Sequence, residues 1–286
     1  MASQPTSHPT LPATLRLGPV HLTVRNLDRS VGWYQDALGL FVHERDDATA
    51  TLGAGDDPVV VLHEDANARL PGREAGLYHY ALLYPDRAEL ARAALRLARA
   101  RTPVQGASDH RTHEAIYLPD PDGNGIELAA DRPREQWPAG LGYDGGPAPL
   151  DVDDLVSVIA GEEPTDRVRP GLRVGHLHLH VGDIDDALAF YRDVVGFDVM
   201  ALLPTAAFVS AGGYHHHLGF NVWRGHGVPP VRPRTVGLGH WTISLGDPAA
   251  LAALRERLDD AGIAHEDRDG GLLVADPSGN AALFVA

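Results

Sequence analysis

The chain contains no cysteine in its 286 residues, which excludes disulfides and thiolate metal sites together. It has no apolar run of the length needed to cross a bilayer. The opening residues are rich in Ser, Thr and Pro and lack the charged start and apolar middle of a signal peptide. Residues 1–15 therefore read as a disordered tail, and a cytoplasmic location is expected. Basic charge is also scarce: 24 Lys and Arg stand against 39 Asp and Glu, a formal net charge of −15. A phosphate backbone needs a basic surface, so nucleic acid is not an expected partner, and neither is a membrane. What the chain does have is 44% hydrophobic residues, enough for a core, and 16 histidines. Its length suits two domains of ordinary size.

A strand–helix pattern runs through the sequence four times. Val20-His21-Leu22-Thr23-Val24 precedes a helical stretch from Leu27, and His176-Leu177-His178-Leu179-His180-Val181 precedes one from Ile184. Weaker copies start near Tyr78-His79-Tyr80 and Gly239-His240-Trp241. Leu27, Val31, Tyr34 and Leu38 recur at helical spacing, as do Ile184, Leu188, Tyr191 and Val195. Asn26 and Asp183 stand at N-cap positions, and Gly39 and Gly196 where a left-handed C-cap is expected. Second and fourth helices are expected at 89–100 and 249–261. Strand-like runs follow each helix, including 58–63, 115–118, 125–129, 217–222 and 271–274. The unit is βαβββ. Two halves, 16–130 and 172–286, flank a Pro-, Gly- and Asp-rich linker at 131–171 with one helical turn expected near 152–159.

These units, together with Gly76-Leu77-Tyr78-His79-Tyr80, Asp120-Pro121-Asp122-Gly123-Asn124-Gly125-Ile126-Glu127 and Gly212-Gly213-Tyr214-His215-His216-His217, resemble the vicinal oxygen chelate superfamily. That superfamily joins glyoxalase I, fosfomycin and bleomycin resistance proteins and extradiol dioxygenases, and the resemblance is nearest to bacterial catechol-2,3-dioxygenase-like proteins. It implies an α+β fold in which βαβββ modules pair into curved-sheet barrels. It also implies a metal held by one residue from the first strand of each paired module and a glutamate from a last strand. Only inward-facing positions on a pleated strand converge on one ion. At those positions the modules carry Pro19, then His79 and Glu127, then His176, then His240 with Leu283 in place of the glutamate. Proline and leucine cannot bind a metal. Only modules two and three together supply a full set, His79, Glu127 and His176. The expected pairing is therefore 2/3 for the active cup and 1/4 for a structural one, and a role for His21 or His240 stays open.

The resemblance implies further residues. Tyr117 stands where extradiol enzymes keep a tyrosine beside the bound diol, although a strand tyrosine can equally serve packing. His216 aligns with the acid/base histidine of those enzymes, a task suited to imidazole. Alternation along a strand would turn His216 away from His215 and His217, so a one-residue shift in register would change the choice. His110 and His178 are candidate substrate-binding residues, with His110 about two residues from the family's spacing. The expected activity is extradiol cleavage of a catechol-like vicinal diol with O2 on Fe(II), with Mn(II) as the alternative metal. The alternatives are a glyoxalase-type isomerase or thiol transferase, and a metal-free binding or resistance protein. Partners are the aromatic diol and O2; a homo-oligomer is compatible with the sequence.

Overall fold

A computed structural model describes residues 9–163 and 165–286. Unit one comprises β1 (Arg16–Val24), α1 (Leu27–Leu38), β2 (Phe41–Arg45), β3 (Thr49–Ala54) and β4 (Asp57–Glu64). Unit two comprises β5 (Gly76–Tyr84), α2 (Arg87–Ala100), β6 (Gly106–Asp109), β7 (His113–Pro119) and β8 (Gly125–Asp131). The linker carries β9 (Ala148–Pro149) and α3 (Val152–Ser157). Unit three has β10 (Arg173–His180), α4 (Ile184–Leu188) running on as a π-helix over Ala189–Val195, β11 (Asp198–Leu203), β12 (Ala206–Ser210) and β13 (Leu218–Asn221). Unit four has β14 (Gly237–Ser244), α5 (Pro248–Asp260), β15 (His265–Arg268), β16 (Gly271–Ala275) and β17 (Ala281–Val285).

The caps form as their chemistry requires. Asn26 accepts a hydrogen bond from Arg29 N–H, and Asp183 from Asp185 and Asp186 N–H. Gly39, at φ 72°, closes α1 in the left-handed conformation that a side chain would strain.

Two sheets result, and each draws on both halves of the chain. One has the order β15-β16-β17-β14-β1-β4-β3-β2, the other β11-β12-β13-β10-β5-β8-β7-β6-β9. Their central pairs, β1 with β14 and β10 with β5, are antiparallel. The expected closed barrels do not form: both sheets are open. The edge strands are short, and β9 ends after two residues at Pro149, which has no N–H with which to extend a ladder.

Two further expectations are corrected. Residues 9–15, expected within a disordered tail, pack on unit three: Leu11 and Leu15 are buried, and Leu11 N–H donates to Gly196 O at 2.9 Å. Residues 1–8 lie outside the described residues. His215, His216 and His217, expected on a strand, instead lie in bends before β13, so strand alternation does not govern them.

Pleat geometry separates core from cavity. On β10, Leu177 and Leu179 enter the apolar core, while His176 and His178 line the opposite face. On β5, Tyr80, Leu82 and Tyr84 do the same for the core. The helices tie the units together through one repeated contact. Tyr34 on α1 donates to Asp120 in the turn of unit two at 3.2 Å, and Tyr191 of unit three donates to Asp276 in the turn of unit four at 3.0 Å. All four side chains are buried, so each phenol satisfies a carboxylate that would otherwise be costly to enclose.

Candidate metal centre

The second sheet brings the candidate residues into one row. His176 on β10 stands opposite Ala81 on β5, Ala81 opposite Glu127 on β8, and Glu127 opposite Tyr117 on β7. Neighbours in such a row share a face. Ala81 is small, so the imidazole and carboxylate on either side meet over it. His79, two residues before Ala81 on β5, joins the same face. A Cβ at Gly125 would lie 2.1 Å from Tyr78 O, so only glycine lets β8 approach β5 there.

His79 Nε2 and His176 Nε2 lie 3.0 and 3.1 Å from the same oxygen, Glu127 Oε2. The three ligand-type atoms lie within 4.8 Å of one another, and all three residues are buried. His79 Nε2 is near the oxygen but not aligned with it, so this buried nitrogen has no hydrogen-bond partner among the described residues. An unpaired buried nitrogen converging with a second nitrogen and a carboxylate oxygen is satisfied by a divalent cation. Two imidazoles and one carboxylate, without sulfur, suit Fe(II) or Mn(II). Burial alone would raise the Glu127 pKa, but the surrounding His176, His113 and His79 hold it well below the usual carboxylate range. The ionised form of this carboxylate is thus favoured.

The triad lines a cavity of about 480 Å³, together with Tyr117, His110, His178 and His216. Tyr117 Oη and His110 Nε2 are 2.6 Å apart. Burial, followed by the Glu127 charge, raises the Tyr117 pKa, so the phenol keeps its proton. His178 is buried with Nε2 unpartnered among the described residues, beside Tyr78, Phe208 and Trp223 at ring distances of 5.3, 5.6 and 5.3 Å.

Of the three consecutive histidines, only His216 lines the cavity; its ring is 4.2 Å from that of His176. His215 turns to Asp131, 3.0 Å from Nε2, and His217 to Ser210, whose hydroxyl lies 2.9 Å from Nδ1. His21 and His240 lie on the other sheet, stacked at 3.9 Å, with His21 Nδ1 at 3.0 Å from His63 Nε2. They pair across β1 and β14 of that sheet and are not part of the triad's group of ligand-type atoms.

Three parts of the site were not legible in the sequence reading. His113 on β7 lies with Nε2 3.1 Å from Glu127 Oε1. It shares a pleat face with Tyr117, four residues on, and that spacing was the available signal. Tyr143, in the linker, donates to His215 O at 2.9 Å and lies 3.1 Å from His216 Nδ1. Its loop, lining the cavity from Leu141 to Pro147, carries no periodic pattern to announce it. The aromatic wall of Tyr78, Phe208 and Trp223 comes from three separate segments.

The sequence model of the Glyoxalase/Bleomycin resistance protein/Dioxygenase superfamily matches residues 16–128 and 173–284. The chain belongs to this superfamily. Within it, the catechol-2,3-dioxygenase of Bacillus subtilis (strain 168) is 40% identical over 277 residues, 94% of this chain and 96% of that protein. The glutathione transferase FosA of Serratia marcescens is 30% identical over 114 residues, 39% of this chain and 78% of that protein. Among solved structures, a putative dioxygenase from Bacillus subtilis subsp. subtilis str. 168 matches at a TM-score of 0.65, covering 97% of this chain and 86% of that one at 14% identity. Glyoxalase I from Zea mays matches at 0.59, covering 95% and 92% at 17% identity. These two show the shared fold. The full-length relative makes the chain a catechol-2,3-dioxygenase-like superfamily member. No helix among the described residues is long and apolar enough to cross a membrane.

The buried histidines give this superfamily member a definite acid response. Burial first, then neighbouring charges, lowers His110, His180 and His217 to about 4, and burial lowers His215 to about 3 against the opposing hydrogen bond to Asp131, all from 6.5. Such a group binds protons better in the unfolded chain. Its contribution to stability is complete above 6.5 and is lost as pH falls toward the folded value. Glu127, held below its ordinary value of 4.5, has the same sign, with its loss beginning lower. The urea midpoint of the metal-free protein should stay level from about pH 8 to 7 and fall continuously from about 6.5 to 4. A midpoint unchanged down to about pH 4.5 would show that these rings are solvated.

Proposed function

We propose that the protein is an extradiol dioxygenase that opens the ring of a catechol-like vicinal diol with O2, using Fe(II), or Mn(II), held by His79, His176 and Glu127. The observation that carries this reading is the meeting of two imidazole nitrogens and one carboxylate oxygen within 4.8 Å in a cavity walled by aromatic rings. The 40% identity to a catechol-2,3-dioxygenase across nearly the whole chain supports the same reaction class. When bound, the metal supplies the redox chemistry that allows O2 to react with a closed-shell aromatic diol.

The remaining work falls to the chain's own side chains. Tyr78, Phe208 and Trp223 give the aromatic ring apolar and edge-to-face contacts. Tyr117, a protonated phenol beside Glu127, donates a hydrogen bond to a diol oxygen, and His110 holds the Tyr117 hydroxyl at 2.6 Å. His178 is a further polar contact within the aromatic wall. His216 handles the proton. Its Nδ1 already lies 2.9 Å from His215 Nδ1 and 3.1 Å from Tyr143 Oη, which leaves Nε2 to exchange a proton with substrate. Burial drives its pKa well below 6.5, so the ring begins as a base. Leu141, Gly142, Tyr143, Gly146 and Pro147 line the cavity and limit the room left for water.

Glutathione chemistry is disfavoured by the lining itself. Among the described residues the cavity wall contains one carboxylate, Glu127, and no arginine. An anionic thiol peptide finds no guanidinium there to pair with its carboxylates. The same feature predicts discrimination between catechols. Enclosing an unpaired carboxylate costs several kcal/mol, so a catechol bearing a side-chain carboxylate should show a kcat/KM at least ~10²-fold below that of catechol or an alkylcatechol. Equal kcat/KM for the two would contradict the assigned pocket.

The activity test is anaerobic loading with Fe(II), followed by catechol and air. A yellow ring-fission product with stoichiometric O2 uptake is expected. Metal uptake without O2 consumption on any catechol would reject the dioxygenase reading in favour of another activity of the superfamily.

A further inference from the structure

The two oxygens of Glu127 have different neighbours. Oε2 faces both ligand nitrogens, at 3.0 and 3.1 Å, whereas Oε1 lies 3.1 Å from His113 Nε2. His113 does not belong to the group of ligand atoms around Oε2; it falls instead with Asp131 and His215. Its ring has a fixed proton arrangement. The Thr112 hydroxyl lies 2.9 Å from His113 Nδ1. The Glu127 carboxylate can only accept, so Nε2 carries the ring proton and donates to Oε1, which leaves Nδ1 to accept from the Thr112 hydroxyl.

The ring is also held in its plane. His110 stacks on one side at 4.5 Å and 6°, and His215 on the other at 4.7 Å and 13°. His215 is itself anchored, with Nε2 3.0 Å from Asp131 Oδ1. Thr112, His113 and Glu127 are all buried, so water does not compete for these bonds.

We infer that His113 is a positioning residue that reserves Oε1 of Glu127, so that the carboxylate offers a metal Oε2 alone. A carboxylate gripping with both oxygens would take up a coordination position that a two-oxygen diol and O2 need. The bond from His113 keeps that position free. This rests on the proposed metal role of His79, His176 and Glu127. It goes beyond that role by assigning the group that sets how Glu127 binds.

Co(II) serves as a spectroscopic probe in titrations of the metal-free protein. Wild type should bind one Co(II), and His79→Ala should lose it; no uptake by wild type would sink the metal-site reading itself, separately from this inference. His113→Phe keeps a stacking ring but has no N–H. It should bind Co(II) ~10–100-fold more weakly, the range seen for partners of metal ligands, with altered visible bands. His113→Gln, whose amide N–H can reach the carboxylate, should recover most of the affinity and restore the wild-type bands. Thr112→Val leaves the ring in place and should weaken Co(II) binding severalfold. It decides the matter if His113→Phe does not fold. Wild-type affinity and spectrum in folded His113→Phe, or in Thr112→Val where the Phe variant is unfolded, would overturn the inference. So would a second Co(II) lost in the His113 variants, because His113 would then be a ligand itself.

Discussion

Glu127→Gln should abolish stable metal retention and lower kcat/KM by at least ~10³-fold, since a bound metal supplies several kcal/mol of stabilisation that the variant forfeits. The side chain keeps its size, so packing at this buried position changes little. What changes is charge. The carboxylate lies within 3.1 Å of three imidazole nitrogens, those of His79, His176 and His113. Its ionised form is the only anionic ligand atom in the triad. A neutral amide oxygen is a far poorer ligand for a hard divalent cation. The amide nitrogen would also face either the two ligand nitrogens or the His113 N–H, so one contact is lost in either orientation. Equilibrium dialysis with Fe(II) under anaerobic conditions, alongside steady-state O2 uptake, measures both effects. Retention within about twofold of wild type would mean that the carboxylate is not a ligand.

His216→Gln should separate proton handling from metal binding. Loss of a positioned acid/base group lowers kcat by ~10²–10⁴-fold, while Fe(II) affinity should stay within about twofold, because His216 lies outside the ligand group. The Michaelis constant should move little, since the aromatic wall is intact. Stopped-flow absorbance should show diol binding at nearly the wild-type rate, followed by slow product formation. Combining His216→Gln with Tyr117→Phe should cost less than the product of the single losses, because groups acting in one step are not additive. Unchanged kcat in His216→Gln would move the acid/base task to another cavity residue, with His110 the next candidate by position.

The repeat made much of this architecture legible before any coordinates. Its strand and helix positions follow from period and caps, and those signals are local. Leu177 and Leu179 alternating with His176 and His178 already described a strand with one apolar face and one chemical face. Glu127 and His79 were singled out through the superfamily resemblance, with the repeat showing which units keep a ligand-type residue at those positions. Features set by tertiary contact were not recoverable. Barrel closure depends on whether edge strands meet, and Pro149 on β9 has no periodic signal that reports it. The side that His216 faces depends on bends between β12 and β13, where strand alternation does not apply. Tyr143 reaches the site from a linker of low regularity. His113 stands on the strand beside the one that carries Glu127, away from the first-strand and last-strand positions that the resemblance marks. Leu11 is buried and bonds Gly196 of unit three, a contact that no local composition describes.

The location of the metal is the central claim, and anomalous diffraction at the iron edge from anaerobically loaded crystals tests it most directly. One peak among His79 Nε2, His176 Nε2 and Glu127 Oε2 is the predicted result. No peak there, or a peak beside His21, His63 and His240 on the other sheet, would contradict the account.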